Sequence, residues 1–92
     1  MTRLIFYTRP GCHLCEQLEE RVRGSLRAMG LDGRVVLSKR NVDAEPEARG
    51  EYGDRIPVVV CDGRVLMEGN PGQDEVARAV RDLAAKTPYN ID

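Results

Sequence analysis

The stretch Tyr7-Thr8-Arg9-Pro10-Gly11-Cys12-His13-Leu14-Cys15 contains the change of pattern that decides the fold. Before it, Leu4 to Tyr7 are apolar residues of β-favouring types, typical of a strand buried on both faces, and Pro10-Gly11 ends that strand. After it, apolar side chains recur at the three- and four-residue spacings of an amphipathic helix: Cys15, Leu18, Val22, Leu26 and Met29. We expect this helix to end at Gly30. A strand-to-helix turn therefore carries two cysteines.

The middle of the chain continues the alternation of strand and helix. Val35 to Val42 has strand-like residues and predicts a second strand. Asp43 to Tyr52 predicts a short helix, because Pro46 is tolerated in a first turn and Gly53 supplies a stop.

The last third of the chain changes to a hairpin pattern. Pro57 to Cys61 and Arg64 to Met67 flank Asp62-Gly63, and this loop between two β runs is a strong hairpin signal. Gly69 to Gly72 predicts a turn, and a closing helix is expected before the Pro88-Tyr89 tail. The apolar positions of that helix are Val76, Val80 and Leu83.

The predicted order is βαβαββα, which indicates an α/β fold with a four-stranded mixed sheet and helices on both faces. This is a thioredoxin-like arrangement. Ninety-two residues without a linker or an internal repeat predict a single domain over 1–92.

Composition excludes several classes of function. Fourteen basic and 15 acidic residues give a net charge of −1, so no nucleic-acid partner is expected. The apolar runs are far shorter than the roughly 20 residues of a membrane span, so no membrane partner is expected either. The N-terminus enters a strand pattern without a secretory signal, and three cysteines are an odd, sparse set; both favour a cytoplasmic protein.

Cys12 and Cys15 are the candidate catalytic residues. Cys12 falls at the start of the helix, where unpaired N–H groups stabilise negative charge, and thiols so placed in Cys-x-x-Cys pairs have a pKa of about 3.5–7.5. Cys15, about one turn further on, is positioned to attack a mixed disulfide formed on Cys12. A protonated His13 would stabilise the thiolate, or His13 is simply a solvated loop residue.

Ile56-Pro57 is the second candidate element. Proline is the only residue type before which a cis peptide bond costs little free energy. Most X-Pro bonds are nevertheless trans, so a trans proline that opens a strand is the alternative. A cis Pro57 facing Cys12 would leave the backbone of Ile56 open to pair with an extended substrate.

Together, the Tyr7 to Cys15 stretch, Ile56-Pro57 and Asp62-Gly63 resemble a glutaredoxin-like member of the thioredoxin superfamily. The resemblance implies that Cys12 attacks, Cys15 resolves and Pro57 is cis. It also implies that Arg9 replaces a basic residue that contacts a glutathione carboxylate, although a solvated charge is the alternative for Arg9. Leu14 stands where typical glutaredoxins have a tyrosine at the border of the glutathione groove.

The resulting hypothesis is a thiol–disulfide oxidoreductase that acts on disulfides in proteins or glutathione conjugates, with Arg9, His13, Leu14, Ile56 and Pro57 as substrate-binding candidates. No metal or organic cofactor is required, glutathione is a candidate co-substrate, and glutathione or a reductase would supply electrons. Two alternatives remain open: a glutaredoxin-type iron–sulfur cluster or metal carrier, and a non-catalytic interaction module. Cys61 is expected to be a small buried hydrophobe.

Overall fold

The computed structural model describes residues 2–86, and within them strands and helices alternate as β1-α1-β2-α2-β3-β4-α3. The strands are β1 (Thr2–Thr8), β2 (Val35–Asn41), β3 (Val58–Cys61) and β4 (Arg64–Glu68). The helices are α1 (His13–Ala28), α2 (Pro46–Tyr52) and α3 (Gln73–Lys86). This confirms the predicted βαβαββα order; the Pro88-Tyr89 tail lies outside the described residues. None of the helices in residues 2–86 is long and apolar enough to cross a membrane.

The sheet has the strand order β2-β1-β3-β4 and is mixed, as the sequence predicts. β1 pairs in parallel with β2, with Thr2 opposite Val35 and Thr8 opposite Asn41. β3 is antiparallel to both β1 and β4, and a register shift between Val59 and Val60 interrupts its pairing with β4. Because of this topology, the carboxyl ends of β1 and β2 and the amino end of β3 meet at one edge of the sheet.

β1 lies at the centre of the molecule, with apolar side chains buried on both faces. Leu4 and Phe6 face the cluster formed with α1 and α3. Tyr7 points to the opposite face, where it packs with Val58 and with Ala48 of α2. The apolar side of α1 predicted from spacing is also part of the first cluster: Cys15, Leu18, Val22 and Leu26.

The predicted helix over Asp43 to Tyr52 is wrong in its first turn. The chain forms a short 3-10 turn at Val42–Ala44, passes through an extended Glu45 (φ −123°, ψ 104°), and begins α2 at Pro46. The reason is steric, since the ring of a proline disfavours the helical conformation for the residue before it. β2 accordingly ends at Asn41, one residue earlier than expected.

Helix α1 ends two residues before the predicted stop at Gly30. Gly30 adopts φ +68°, and its N–H donates to the carbonyl of Arg27 at 3.0 Å. The N–H of Leu31 donates to the carbonyl of Leu26 at 2.8 Å, which completes a Schellman motif. Glycine is therefore the residue just after the helix, where a left-handed conformation is needed.

Leu18→Ala tests the packing of α1 on the sheet. Because Leu18 is 0% exposed, its truncation is expected to lower the free energy of unfolding by about 2–5 kcal/mol, measured by urea denaturation. The matched control is Leu14→Ala on the same helix, where the side chain is 44% exposed and the change should stay within about 0.5 kcal/mol. Equal losses in the two variants would contradict this assignment of the core.

Candidate functional site

Cys12 is the N-cap residue of α1. Gly11, at φ +81°, turns the chain out of β1, and Cys12 has the extended conformation (φ −89°, ψ 105°) typical of a cap. The N–H of Cys15 points at the Cys12 sulfur, with the nitrogen 3.1 Å from Sγ. A thiolate at this position would receive that N–H together with the positive end of the helix dipole.

The two sulfurs differ in their access to solvent. Cys12 and Cys15 are joined in a disulfide, with their α-carbons 5.2 Å apart. Cys12 is partly exposed, whereas Cys15 is 2% exposed and belongs to the core cluster under α1. An incoming molecule therefore meets Cys12, while Cys15 stands behind it within bonding reach.

The peptide bond between Ile56 and Pro57 is cis, in agreement with what the resemblance implies. Pro57 is buried, and its carbonyl accepts a hydrogen bond from the N–H of Gly69 at 2.9 Å. Within residues 2–86, neither the N–H nor the carbonyl of Ile56 is used in a backbone hydrogen bond. Because Tyr7 pairs with Val58, Ile56 and Pro57 lie at the end of the sheet where β1 leads into Cys12, and the Ile56 side chain packs against the core clusters on both faces.

Arg9 forms a two-pronged ion pair with Asp43. Its Nε donates to Oδ2 at 2.7 Å and its Nη2 to Oδ1 at 2.9 Å, and Nη2 also donates to the carbonyl of Gly53 at 3.3 Å. The hydrogen bond from Arg9 lowers the pKa of the Asp43 carboxyl, and the same contact raises the pKa of Arg9. The basic residue implied for a glutathione carboxylate is thus bound to a carboxylate of this chain.

The two residues between the cysteines point outward. The His13 side chain is 92% exposed, and its Nδ1 lies 3.7 Å from Oε1 of Glu16. Leu14 is an exposed large hydrophobe directly beside the disulfide. Among the described residues, the charged group that His13 contacts is the Glu16 carboxylate, not a cysteine sulfur.

A cleft of about 330 Å³ opens beside the disulfide at the ends of β1 and β2. Its cations are Arg9, Lys39 and Arg40. Lys39 pairs with Glu19 at 3.1 Å, and Arg40 lies 3.6 Å from Glu45. The remaining residues that line it are Thr8, Pro10, Gly11, Cys12, Cys15, Glu16, Glu19 and Asn41.

Glu19 is the most enclosed carboxylate at this cleft. Burial raises its pKa, but hydrogen bonds from Arg23 and Lys39 lower it by more, so the net pKa lies below the ordinary value. Arg23 Nε donates to Oε2 of Glu19 at 2.9 Å. The carboxylate thus ties β2 to α1 on the floor of the cleft.

An aromatic and charged cluster supports the segment that leads into Pro57. The Tyr7 and Tyr52 rings stack with centroids 5.3 Å apart, and burial raises the pKa of the Tyr7 hydroxyl. The Arg55 guanidinium lies 5.5 Å from the centroid of the Tyr52 ring and makes a two-pronged pair with Glu68, with Nη2 to Oε1 at 2.6 Å. Arg55 is thus held on both sides directly before Ile56.

Sequence reasoning missed Asp43, Lys39 and Glu19. The signal that could have found Asp43 is topological, since the carboxyl ends of parallel neighbours lie at one edge and Arg9 and Asp43 each follow such an end. The partners of Lys39 and Glu19 could not be found in this way, because their pairing depends on how α1 lies across the sheet.

Cys61, expected to be a small buried hydrophobe, lies at the far end of β3, where it is partly buried and packs against the core cluster. β3 ends at the hairpin, where the sheet no longer covers the thiol completely. Burial raises the pKa of this thiol, and the neighbouring carboxylate of Asp62, 3.9 Å from Sγ, raises it further.

The reduced protein should therefore be alkylated first at Cys12. At pH 7, iodoacetamide is expected to modify Cys12 at least about 10-fold faster than Cys61, because the helix N-terminus favours a thiolate whereas burial and Asp62 oppose one. Peptide mapping by mass spectrometry measures the order. Asp62→Asn is the control and should accelerate Cys61 alone; modification of Cys61 before Cys12 would contradict the assignment.

The lowered pKa of Glu19 predicts a pH-dependent contribution to stability. Because its folded pKa lies below the ordinary 4.5, the contribution is present above about pH 4.5 and is lost as the pH falls through the folded value. Glu19→Gln should cost up to about 1 kcal/mol of unfolding free energy at pH 7, and this loss should shrink as the pH falls below 4.5, measured by urea denaturation. Glu20→Gln, at an exposed position of α1, should change little across this pH range, and a Glu19→Gln loss that does not decrease as the pH falls below 4.5 would refute the assignment.

The comparisons with curated proteins and solved structures find thioredoxin-like folds and relatives without a described activity. The chain is 34% identical over 58 residues to uncharacterized proteins of Mycobacterium bovis and Mycobacterium tuberculosis, a match covering 62% of this chain and 60% of theirs. A structural-genomics target protein from X. campestris has a TM-score of 0.64 at 24% identity, covering 92% of this chain and 99% of that one. Oxidized mitochondrial thioredoxin 3 of Saccharomyces cerevisiae has a TM-score of 0.59 at 18% identity, covering 88% and 77%. At these identities the structures show a common fold.

The family model of the glutaredoxin-like domain (DUF836) matches residues 3–81. This range runs from β1 into α3 and includes the cysteine pair, the cis-proline and the Arg9–Asp43 pair. The chain belongs to the glutaredoxin-like domain family, and it shares the fold of thioredoxin.

Proposed function

We propose that this protein is a thiol–disulfide oxidoreductase in which Cys12 attacks and Cys15 resolves. The observation that carries the proposal is the disulfide at the N-terminus of α1, in which Cys12 is partly exposed and Cys15 is buried behind it. An attacking thiol needs access and a stabilised thiolate, whereas a resolving thiol needs only proximity. Cys12 meets the requirements of the attacking thiol, and Cys15 meets that of the resolving thiol.

The reaction proceeds in two exchange steps. The Cys12 thiolate attacks one sulfur of a substrate disulfide, forms a mixed disulfide, and releases the other sulfur as a thiolate that takes up a proton. Cys15 then loses its proton and attacks the Cys12 sulfur, which releases the second substrate thiol and forms the Cys12–Cys15 disulfide. Two electrons and two protons thus move from the enzyme dithiol to the substrate.

The segment before the cis-proline supports the binding of an extended substrate. The free N–H and carbonyl of Ile56 offer one donor and one acceptor, which an incoming strand can use by strand addition. Leu14 adds an exposed apolar surface next to Cys12. Pro57 fixes this edge by its buried ring and its bond to Gly69.

The proposal also covers the cellular setting of the reaction. A disulfide-bearing protein or glutathione conjugate is the substrate, and glutathione or a reductase supplies electrons in the cytoplasm, where such pools keep thiols reduced. No metal or organic cofactor takes part, and visible absorbance from a bound cluster in the purified protein would contradict this assignment.

Cysteine variants test the division of roles. Cys12→Ser should abolish insulin reduction, because no nucleophile remains at the accessible position. Cys15→Ser should retain the first step and accumulate a mixed disulfide on Cys12, detectable by mass spectrometry. Both variants are expected to keep the wild-type circular-dichroism spectrum.

Cys61→Ser is the matched control for these variants. Cys61 lies at the hairpin end of β3, the opposite end of the strand from Pro57, so its removal should leave the rate of insulin reduction within about twofold of wild type. Undiminished insulin reduction by Cys12→Ser would refute the proposed function. If Cys61→Ser lost activity and Cys12→Ser kept it, the reactive cysteine would be Cys61, at the other end of the sheet.

A further inference from the structure

We infer that the Cys12 site accepts thiols and disulfides carried on a polypeptide and discriminates against small anionic thiols, with Asp43 as the specificity-determining residue. The inference rests on the proposed function, because it names the substrate class of the same site. It is drawn from the charge pairing around the cleft.

The cations that line the cleft in residues 2–86 already have carboxylate partners. Arg9 is 2.7 Å from Asp43, Lys39 is 3.1 Å from Glu19, and Arg40 is 3.6 Å from Glu45. A ligand carboxylate that enters here must displace a carboxylate of the protein. It gains no net ion pair in the exchange, so the cleft offers little attraction to an anion.

Arg9 is the cation whose pairing matters most, since the Cys12 N–H donates to the Arg9 carbonyl at 3.2 Å and both residues line the same cleft. Both prongs of its guanidinium face Asp43, and the Gly53 carbonyl takes a further bond from Nη2. Such two-pronged pairing satisfies the geometry that a free carboxylate would otherwise use. Because the pKa of Asp43 is lowered, the pair persists at neutral pH.

The other features around Cys12 suit a polypeptide of low charge. The backbone groups of Ile56 bind any extended chain regardless of its side chains, and Leu14 offers an apolar contact. Glutathione, with two carboxylates and one ammonium, has a net charge of −1 and needs a cation that the cleft does not leave free. The difference between the two ligand classes is therefore one of charge.

The step that reports this selectivity is reduction of the Cys12–Cys15 disulfide by an added thiol. The thiolate attacks Cys12 and breaks the disulfide, and the electron pair stays on Cys15, which takes up a proton. A second thiol attacks the added sulfur and releases Cys12, so two thiols become one disulfide and the protein gains two electrons and two protons. The rate of this reduction can be measured on the oxidised protein alone, without catalytic turnover of a substrate.

The experiment compares three thiols at equal thiolate concentration and low ionic strength. These are glutathione, its diethyl ester, which lacks both carboxylate charges, and the capped neutral peptide acetyl-Val-Cys-Val-amide. The wild-type disulfide should react with the ester and the peptide several-fold faster than with glutathione. Equal rates for the three thiols would overturn the inference.

Asp43→Asn tests the specificity residue, because it keeps the shape of the side chain and removes the charge. Glutathione should then react up to about fivefold faster, the size of one solvent-exposed ionic contact with a freed Arg9, while the ester changes less than twofold. The gain should shrink in 1 M NaCl. Asp43→Ala is a second variant that removes the same charge and should show the same gain. Combining Arg9→Gln with Asp43→Asn should abolish the gain.

Asp82→Asn is the control for net charge, since Asp82 lines a cavity with Thr2 at the opposite end of β1. It should leave the ratio of ester to glutathione rates unchanged. If the ratio of ester to glutathione rates were also unchanged in Asp43→Asn and Asp43→Ala, Asp43 would not be the specificity-determining residue. Failure of the proposed function would instead appear as absent insulin reduction, whereas the rates of this single chemical step remain measurable.

Discussion

The parallel pairing of β1 with β2 is the constraint on which the site depends. It sets Thr8 beside Asn41, so the loops that follow the two strands leave the sheet at the same edge. One loop becomes the N-terminus of α1 with Cys12 as its cap, and the other supplies Asp43. The antiparallel β3 brings Ile56 and Pro57 to the same edge from the opposite chain direction. The chemistry is thus assembled from three connections that are distant in sequence.

The position of each cysteine on α1 determines how far it is buried. The helix has one apolar face, and three residues of rotation bring the chain from an exposed cap at Cys12 to the core at Cys15. The same rotation leaves His13 and Leu14 on the open side. The spacing within the motif therefore determines both the reach between the sulfurs and the difference in their access to solvent.

The elements and the cysteine pair follow from local sequence, because hydrophobic period, the Asp62-Gly63 turn and Pro10-Gly11 are signals within a few residues of what they specify. α2 begins at Pro46 and not at Asp43, because the ring of Pro46 disfavours the helical conformation at Glu45. The charge partners of the cleft could not be predicted in the same way. Asp43 and Arg9 are separated by a helix and a strand, and only the assembled sheet brings them together. Local pattern therefore locates the two cysteines but not the charges that surround them.

The register shift between Val59 and Val60 has a consequence for how copies of the protein meet. β4 is an outer strand of the sheet, and its unpaired backbone groups could template pairing with a neighbouring chain. A bulge bends and twists such a strand, and β4 also begins at Arg64 and ends at Glu68, both exposed and charged. A strand of a second molecule therefore cannot form a regular row of backbone hydrogen bonds along β4. The irregularity in the sheet thereby disfavours edge-to-edge pairing of two molecules through β4.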